Sequence, residues 1–350
     1  MPKLRKTLPK DFKEIVASGD AEEIKAALMK CQPDAYEDNA GKKSALMCAD
    51  LPEEVIRWLV EEYGADVNYA DVYGHTPLSE AAVRRPEKID LLLSLGADIN
   101  FQKDRYPTAL IFAAMAYCPH GVRKLVESGA DIHRTDGYSG FNALDEALIR
   151  CQNVDIPAMA LIAGILLDAG MEVTEGRKRL VTQIGKNFEF YRGGFSSDYL
   201  PACDAGLSEL YRLFGVPPVP HLKKYDGGEP ISVKGRTWTQ QYNELWDMLV
   251  PGSGKAAFVQ GEAIRIIGRL SHEILDNGAM NWDGDFRAMR DSLAALLSEG
   301  SPADEKIIRQ IRKISPDTDE NTFNAIAKAV VAWILANPVP KALGDVSYSR

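Results

Sequence analysis

The sequence predicts an all-α chain: a solenoid of about five to six helical repeats, then a helical C-terminal domain packed on its end as a cap. Three observations predict this. A Gly-Ala-Asp-(Val/Ile) element recurs at Gly64, Gly96 and Gly129, at intervals of 32 and 33 residues. A Thr/Ser/Asn-(Pro/Ala)-Leu element recurs at Ser44, Thr76, Thr108 and Asn142, at intervals of 32, 32 and 34. Self-similarity at this period is the signature of stacked supersecondary units. Beyond residue 216 the period is lost, and Pro217-Pro218-Val219-Pro220 and Gly227-Gly228-Glu229-Pro230 mark a linker. The expected organisation is solenoid 1–216, linker 217–235, helical domain 236–340 and polar tail 341–350.

Each repeat feature has a physical cause. Thr76 can cap a first helix by accepting a backbone N–H, and Pro77 then occupies the first helical position, where no N–H is needed. Ala81 and Ala82 are small enough for paired helices to approach closely, and Leu91, Leu92 and Leu93 supply the packed side of the second helix. Gly96 falls where that helix ends and a left-handed residue is wanted. The run Gly74-His75-Thr76-Pro77-Leu78, with Ala81-Ala82 and Gly96-Ala97-Asp98-Ile99-Asn100, resembles the ankyrin repeat; Ser79 replaces the His of its Thr-Pro-Leu-His start. The resemblance implies a stacked solenoid whose mode of action is binding.

In chain order, residues 1–10 are polar and expected to be loose. Asp11–Ser18 and Ala21–Met29 read as two short amphipathic helices of an N-terminal capping repeat, with Pro33-Asp34-Ala35 as its exit turn. The second repeat runs from Gly41 through Ser44-Ala45-Leu46 to Gly64, the third to Gly96 and the fourth to Gly129. The fifth starts at Asn142 and is lengthened by Cys151–Ile156. A sixth, distorted unit spans about 177–216, with Leu180–Ile184 and Leu207–Phe214 as its helices. The segment from Tyr191 through Gly193, Gly194 and Ser197 to Tyr199 between them reads equally as a contact loop or a disordered insertion. Helices are then expected at Thr237–Leu249, Ala256–Leu275, Asn281–Leu297, Ala303–Ile314 and Asn321–Ala336. The first places Trp238, Tyr242, Leu245, Trp246 and Leu249 on one side, and this apolar seam is the reason to expect a cap on the last repeat.

Composition narrows the function classes. The five cysteines are odd in number, far apart and form no Cys-x-x-Cys pair, and the five histidines make no metal pattern, so neither a disulfide framework nor a metal site is expected. The apolar segments are too short to span a bilayer, no apolar run follows the basic start, and a cytoplasmic protein is expected. A formal charge of −9 disfavours a nucleic-acid binder and suits a basic protein partner such as a toxin or effector.

Catalysis has no positive signal. Gly252-Ser253-Gly254-Lys255 lacks the first glycine and the final hydroxyl of a phosphate loop, since Leu249 and Ala256 stand there. No cofactor is expected. Glu262, Arg265, Arg269 and Glu273 share one helical face by their spacing. They read as a solvated, salt-bridged face or, more sharply, as a polar cluster completed by Asn277, Asn281, Trp282 and Asp283. The stretch Val250-Pro251 through Asn281-Trp282-Asp283 resembles a C-terminal domain of uncharacterised bacterial proteins, which implies a bacterial source.

The better candidate is a protein-binding face. Matched to the ankyrin pattern, the hairpin tips are Tyr69, Asp71 and Tyr73; Phe101, Lys103, Arg105 and Tyr106; and Arg134, Asp136, Tyr138 and Phe141. The first helices add Glu80, Phe112, Met115 and Glu146. Exposed aromatics and arginines are the residues that interface hot spots use, and about half of these aromatics are expected to be free. The expected function is a non-enzymatic binding module, in its most specific form a bacterial immunity protein that blocks a toxin. The alternative is an enzyme or small-ligand sensor in the C-terminal domain, delivered by the repeats.

Overall fold

The computed structural model describes residues 3–192, 195–196, 198–221 and 225–350. Gly193, Gly194 and Ser197 of the glycine-rich segment, and Leu222–Lys224 of the expected linker, lie outside the described residues. The chain divides into two compact units: 1–185 with 197–218, and 186–196 with 219–350.

The first unit begins with a feature the repeat pattern does not contain. Residues expected to be loose form strand β1 (Arg5–Thr7), which pairs in parallel with β2 (Cys31–Tyr36). Leu8 is buried beside it, and the expected exit turn at Pro33-Asp34-Ala35 is part of β2. Between them lie α1 (Phe12–Ser18) and α2 (Ala21–Leu28), which bury Phe12, Val16, Ile24 and Leu28. In the second repeat, the expected first helix is only a 3₁₀ turn, Ala45–Met47, and Ser44 makes no side-chain cap bond there; α3 (Glu53–Glu61) follows.

Paired helices then repeat as α4 (Pro77–Arg84) with α5 (Ile89–Ser94), α6 (Ala109–Met115) with α7 (Pro119–Glu127), and α8 (Ala143–Arg150) with α9 (Ile156–Asp168). The caps form as the sequence requires. Thr76 Oγ1 accepts from Ser79 N while Ser79 Oγ accepts from Thr76 N, so Ser79 closes a capping box. Thr108 and Asn142 cap α6 and α8 through their side-chain oxygens, without the reciprocal bond. The stop glycines Gly64, Gly96, Gly129 and Gly170 all have φ between 79° and 104°, where a side chain would be strained. A ladder of side chains ties each stop to the next: Asp34, Asn68 and Asn100 accept from the backbone N–H of Asp66, Asp98 and Asp131, each at 2.8 Å. First helices stack on first helices (α4, α6, α8) and second on second (α7, α9), so Leu92, Leu110, Leu125 and Leu144 are buried between repeats.

The distorted sixth unit is longer than the sequence pattern implied: α10 (Glu175–Tyr191) and α11 (Leu200–Phe214), the latter packed on α9. The residues of α10 from Lys186 onward are counted with the second unit.

The second unit is a bundle of α12 (Trp238–Leu249), α13 (Val259–Ser271), α14 (Gly284–Leu296), α15 (Glu305–Arg312) and α16 (Glu320–Ala336). Its core includes Leu245, Ile264, Ile267, Phe286, Met289, Ile326, Val330 and Trp333. The seam of α12 closes within this unit: Leu245 and Leu249 enter its core, Tyr242 and Trp246 pack against that core, and Trp246 stacks on Phe190 with centroids 6.2 Å apart. Part of the surface that motivated a cap is thus used within this unit, while Trp238, Tyr242 and Trp246 stay half-buried. The expected helix Ala256–Leu275 is shorter, starts at Val259, and ends in one π-helical turn, His272–Asp276.

The two ends of this unit are more ordered than their composition implied. Ile231, in the expected linker, is buried in the core and its N–H donates to Pro338 O at 2.8 Å. The polar tail is a strap. Val259 N donates to Lys341 O, Leu343 N to Ala257 O, and Tyr348 is only 3% exposed.

Candidate functional site

The residues singled out on the first unit separate into three groups once their surroundings are known. Asp71, Glu80, Asp136 and Glu146 are buried. Asp71 Oδ1 accepts from the N–H of Tyr73 (2.8 Å) and His75 (2.9 Å), and its Oδ2 lies 3.2 Å from His75 Nδ1. Asp136 accepts from Tyr138 and Ser139 N–H in the same manner. Both close their own hairpins and are not available as tips. Glu80 pairs with Lys43 and with Arg84 (3.3 Å), and Glu146 with Arg150 (2.6 Å).

Tyr69, Phe101, Lys103, Tyr106, Phe112 and Met115 are half-buried. Tyr69 Oη donates to Lys42 O at 3.0 Å, and Lys103 Nζ donates to Asp71 O at 2.8 Å and Ala70 O at 3.2 Å, so both staple one hairpin to its neighbour. Tyr106 lies on Gly74, where an added Cβ would stand 2.2 Å from Tyr106 Cβ. Its ring is packing between hairpins, not the free tip its position implied.

Tyr73, Arg105, Arg134, Tyr138 and Phe141 remain exposed, with Tyr73 at 52%, Tyr138 at 66% and Phe141 at 41%. They sit at the edge of connected rings. Tyr138 meets Tyr106 edge-on at 5.6 Å, and Tyr73 meets His75 at 6.4 Å, which lies 4.4 Å from Phe112. Tyr73 and Tyr138 are thus each held by a half-buried ring, which lowers the entropy lost on contact. Sequence reasoning missed His75 and Ile149. Ile149 is 47% exposed and shares a cavity of about 490 Å³ with Phe141, Asp145 and Arg179. A signal existed for it: Ile149 follows its cap Asn142 by the spacing that separates Met115 from Thr108.

The charge of this face differs from that of the chain. Lys42, Arg84, Arg105, Arg134 and Arg150 point outward, while Asp71, Glu80, Asp136 and Glu146 lie buried beneath them. Exposed carboxylates also stand on the hairpins, at Asp38 and Asp104, and others lie on α3 (Glu53, Glu54, Glu61, Glu62) and at the repeat stops (Asp66, Asp98, Asp131).

The polar cluster of the second unit forms, but not as a solvated face. Glu262 and Arg265 are buried and bonded to each other by two N–H···O contacts, 2.8 and 2.6 Å. Glu262 also accepts from Ala256 N (2.9 Å) and from Tyr348 Oη, and Arg265 Nη2 donates to Arg350 O at 3.0 Å. Burial alone would raise the Glu262 carboxyl, but the bonds from Arg265, Tyr348 and Ala256 outweigh it and hold it below the usual carboxylate value. Burial, with the Arg265 and Arg350 charges, lowers Arg269. Glu273 is held low against burial by Asn277 and Asn281, to which it is bonded. Asp283 caps α14 through Phe286 N and pairs with Arg350 at 2.6 Å. Trp282 stacks on Phe286, 5.9 Å away. The cluster is a latch for the strap: its carboxylates are spent on internal partners, so the arrangement offers no free acid–base pair.

Comparison with known proteins agrees with the repeat geometry. Residues 13–103 match the model of ankyrin repeats, in three copies. Over 88 residues the chain is 35% identical to an ankyrin repeat protein of Acanthamoeba polyphaga mimivirus, covering 23% of this chain and 53% of that protein. The chain thus spans about half the length of the curated relative it matches. No helix among the described residues is long and apolar enough to cross a membrane, and no group of His, Cys, Asp and Glu among them is placed to hold a metal ion.

Proposed function

We propose that the first unit is a protein-binding module that engages its partner through the exposed rings of its hairpins and the first helices beside them. The observation that carries this reading is the exposed set Tyr73, Tyr138 and Phe141, of which Tyr73 and Tyr138 are braced by half-buried rings. Rigid aromatics of this kind give large contact area at low ordering cost. The outward cations over buried carboxylates favour an acidic partner surface, in place of the basic one that the net charge implied. The narrower reading, an immunity protein that holds a toxin inactive, would then require a toxin with an acidic docking face.

The test is co-purification of the full chain from its native lysate. Recovery of a stoichiometric partner that is lost with Tyr138→Ala and Phe141→Ala, at unchanged melting temperature, is the expected result. A partner retained by both variants would place the contact elsewhere and end this assignment.

A further inference from the structure

The second unit holds a cleft of about 570 Å³ that none of the Glu262 cluster lines. Its volume falls within the range of small-molecule sites, about 300–1,000 Å³. One wall is α12, which presents Trp238, Tyr242 and Trp246 at successive four-residue steps. The opposite wall is Phe323 of α16. The floor is Gly268 of α13, where an added Cβ would stand 2.3 Å from the Trp246 ring and 2.9 Å from Tyr242 Oη. Only glycine lets these rings settle so low. Trp246 is then held between Phe190 and Tyr242, near-parallel to each at 11° and 22°. The aromatic wall is built in advance.

The rim is the π-helical turn His272–Asp276. Such turns are rare and recur at functional sites, because they reposition side chains at the cost of regular helix bonding. Here the turn sets His272 and Asp276 at the cleft, bonded at 2.9 Å.

The charge pattern selects the ligand. The lining has one carboxylate, Asp276, and no lysine or arginine. Elsewhere the chain places its own cations over Tyr36, Phe188, Tyr348 and Phe286. Among the described residues none lies over Trp238, Tyr242, Trp246 or Phe323. The aromatic faces of Trp238 and Tyr242 beside one carboxylate complement a weakly hydrated cation, whereas a phosphate would meet no lysine or arginine. We propose that this cleft binds a small quaternary ammonium compound, its methylated head against Trp238 and Tyr242 and within reach of the Asp276 carboxylate. No proton or group transfer is involved; the site is a receptor for charge and shape.

The experiment uses the full chain, with choline as the probe and tryptophan fluorescence and calorimetry as readouts. A neutral analogue, with a tert-butyl group in place of the trimethylammonium, is titrated in parallel. Choline is expected to bind at least about tenfold more tightly than the analogue, since a desolvated cation–π contact is worth up to about 2 kcal/mol and 1.4 kcal/mol is a factor of ten. Trp238→Ala should weaken choline about tenfold by the same reckoning. Asp276 is mostly exposed, so Asp276→Asn keeps the fold, and it should weaken choline but leave the analogue unchanged. Equal binding of choline and the analogue would make the cleft merely apolar and overturn the proposal. So would an absence of choline binding at about 10 mM, or an Asp276→Asn variant that binds choline as well as the native chain.

Discussion

Glu262→Ala should cost the second unit about 3–5 kcal/mol, because it strands a buried guanidinium. Arg265 is 2% exposed, its Nη1 already lacks a hydrogen-bond partner among the described residues, and Glu262 is the side-chain carboxylate paired with it. Removing that carboxylate leaves the charge with the main-chain oxygen of Arg350 alone, and it releases Tyr348 from the strap at the same time. For a unit of this size the loss corresponds to a fall in melting temperature of roughly 10–15 °C. Tryptophan fluorescence follows it selectively, since Trp238, Trp246, Trp282 and Trp333 lie in the second unit and Trp58 in the first. The control is the double variant Glu262→Ala with Arg265→Met, which removes both charges and should recover most of the loss, as replacing whole buried ion pairs by apolar side chains often does. A single-variant loss below about 1 kcal/mol, or a double variant no more stable than the single, would refute the account of this pair as mutually dependent.

Three further outcomes are expected. Because the folded state holds the Glu262 carboxyl low, its contribution is present above the ordinary value of about 4.3 and is lost as pH falls through the folded value; the fluorescence-detected melting temperature of the second unit should therefore drop below about pH 4, less steeply in Glu262→Gln. Tyr106→Ala should lower melting of the first unit by uncovering Gly74, while Tyr138→Ala, at an exposed ring, should leave it unchanged; equal effects would contradict the division into bracing and free rings. Leu92→Ala should cost about 2–5 kcal/mol through the cavity it leaves between repeats, read by chemical denaturation followed by circular dichroism.

Much of the first unit was legible because its residues repeat their reasons. A cap at Thr76, Thr108 and Asn142 and a left-handed glycine at Gly64, Gly96 and Gly129 are local requirements, and local requirements leave local traces. The inter-repeat ladder of Asp34, Asn68 and Asn100 is also periodic and could have been inferred from the same alignment of units. What stayed hidden was non-local. The β1–β2 pair joins residues 26 and 29 apart that share no motif, and the strap docks Tyr348 on Glu262 across 86 positions. A tail of Lys, Asp, Arg and two Ser among small and apolar residues reads as solvated until its one tyrosine finds a buried carboxylate.

The candidate site shows where residue type alone misleads. Asp71 and Asp136 occupy tip positions by alignment, but an aspartate that starts a tight turn accepts its own backbone N–H groups before it meets a partner. Tyr106 and Tyr138 are the same residue type at neighbouring tips, and only the glycine opposite Tyr106 decides that one braces and the other is free. Net charge misleads in the same way. The formal −9 is a sum over the whole chain, whereas a partner senses the charge within about a Debye length, roughly 8–10 Å, of where it docks. On the hairpin face Asp71, Glu80, Asp136 and Glu146 lie beneath and guanidinium groups above, with Asp38 and Asp104 exposed beside them, so the local charge differs from the sum over the chain. If the partner docks on that face as proposed, raising salt should weaken the association of an acidic partner surface there.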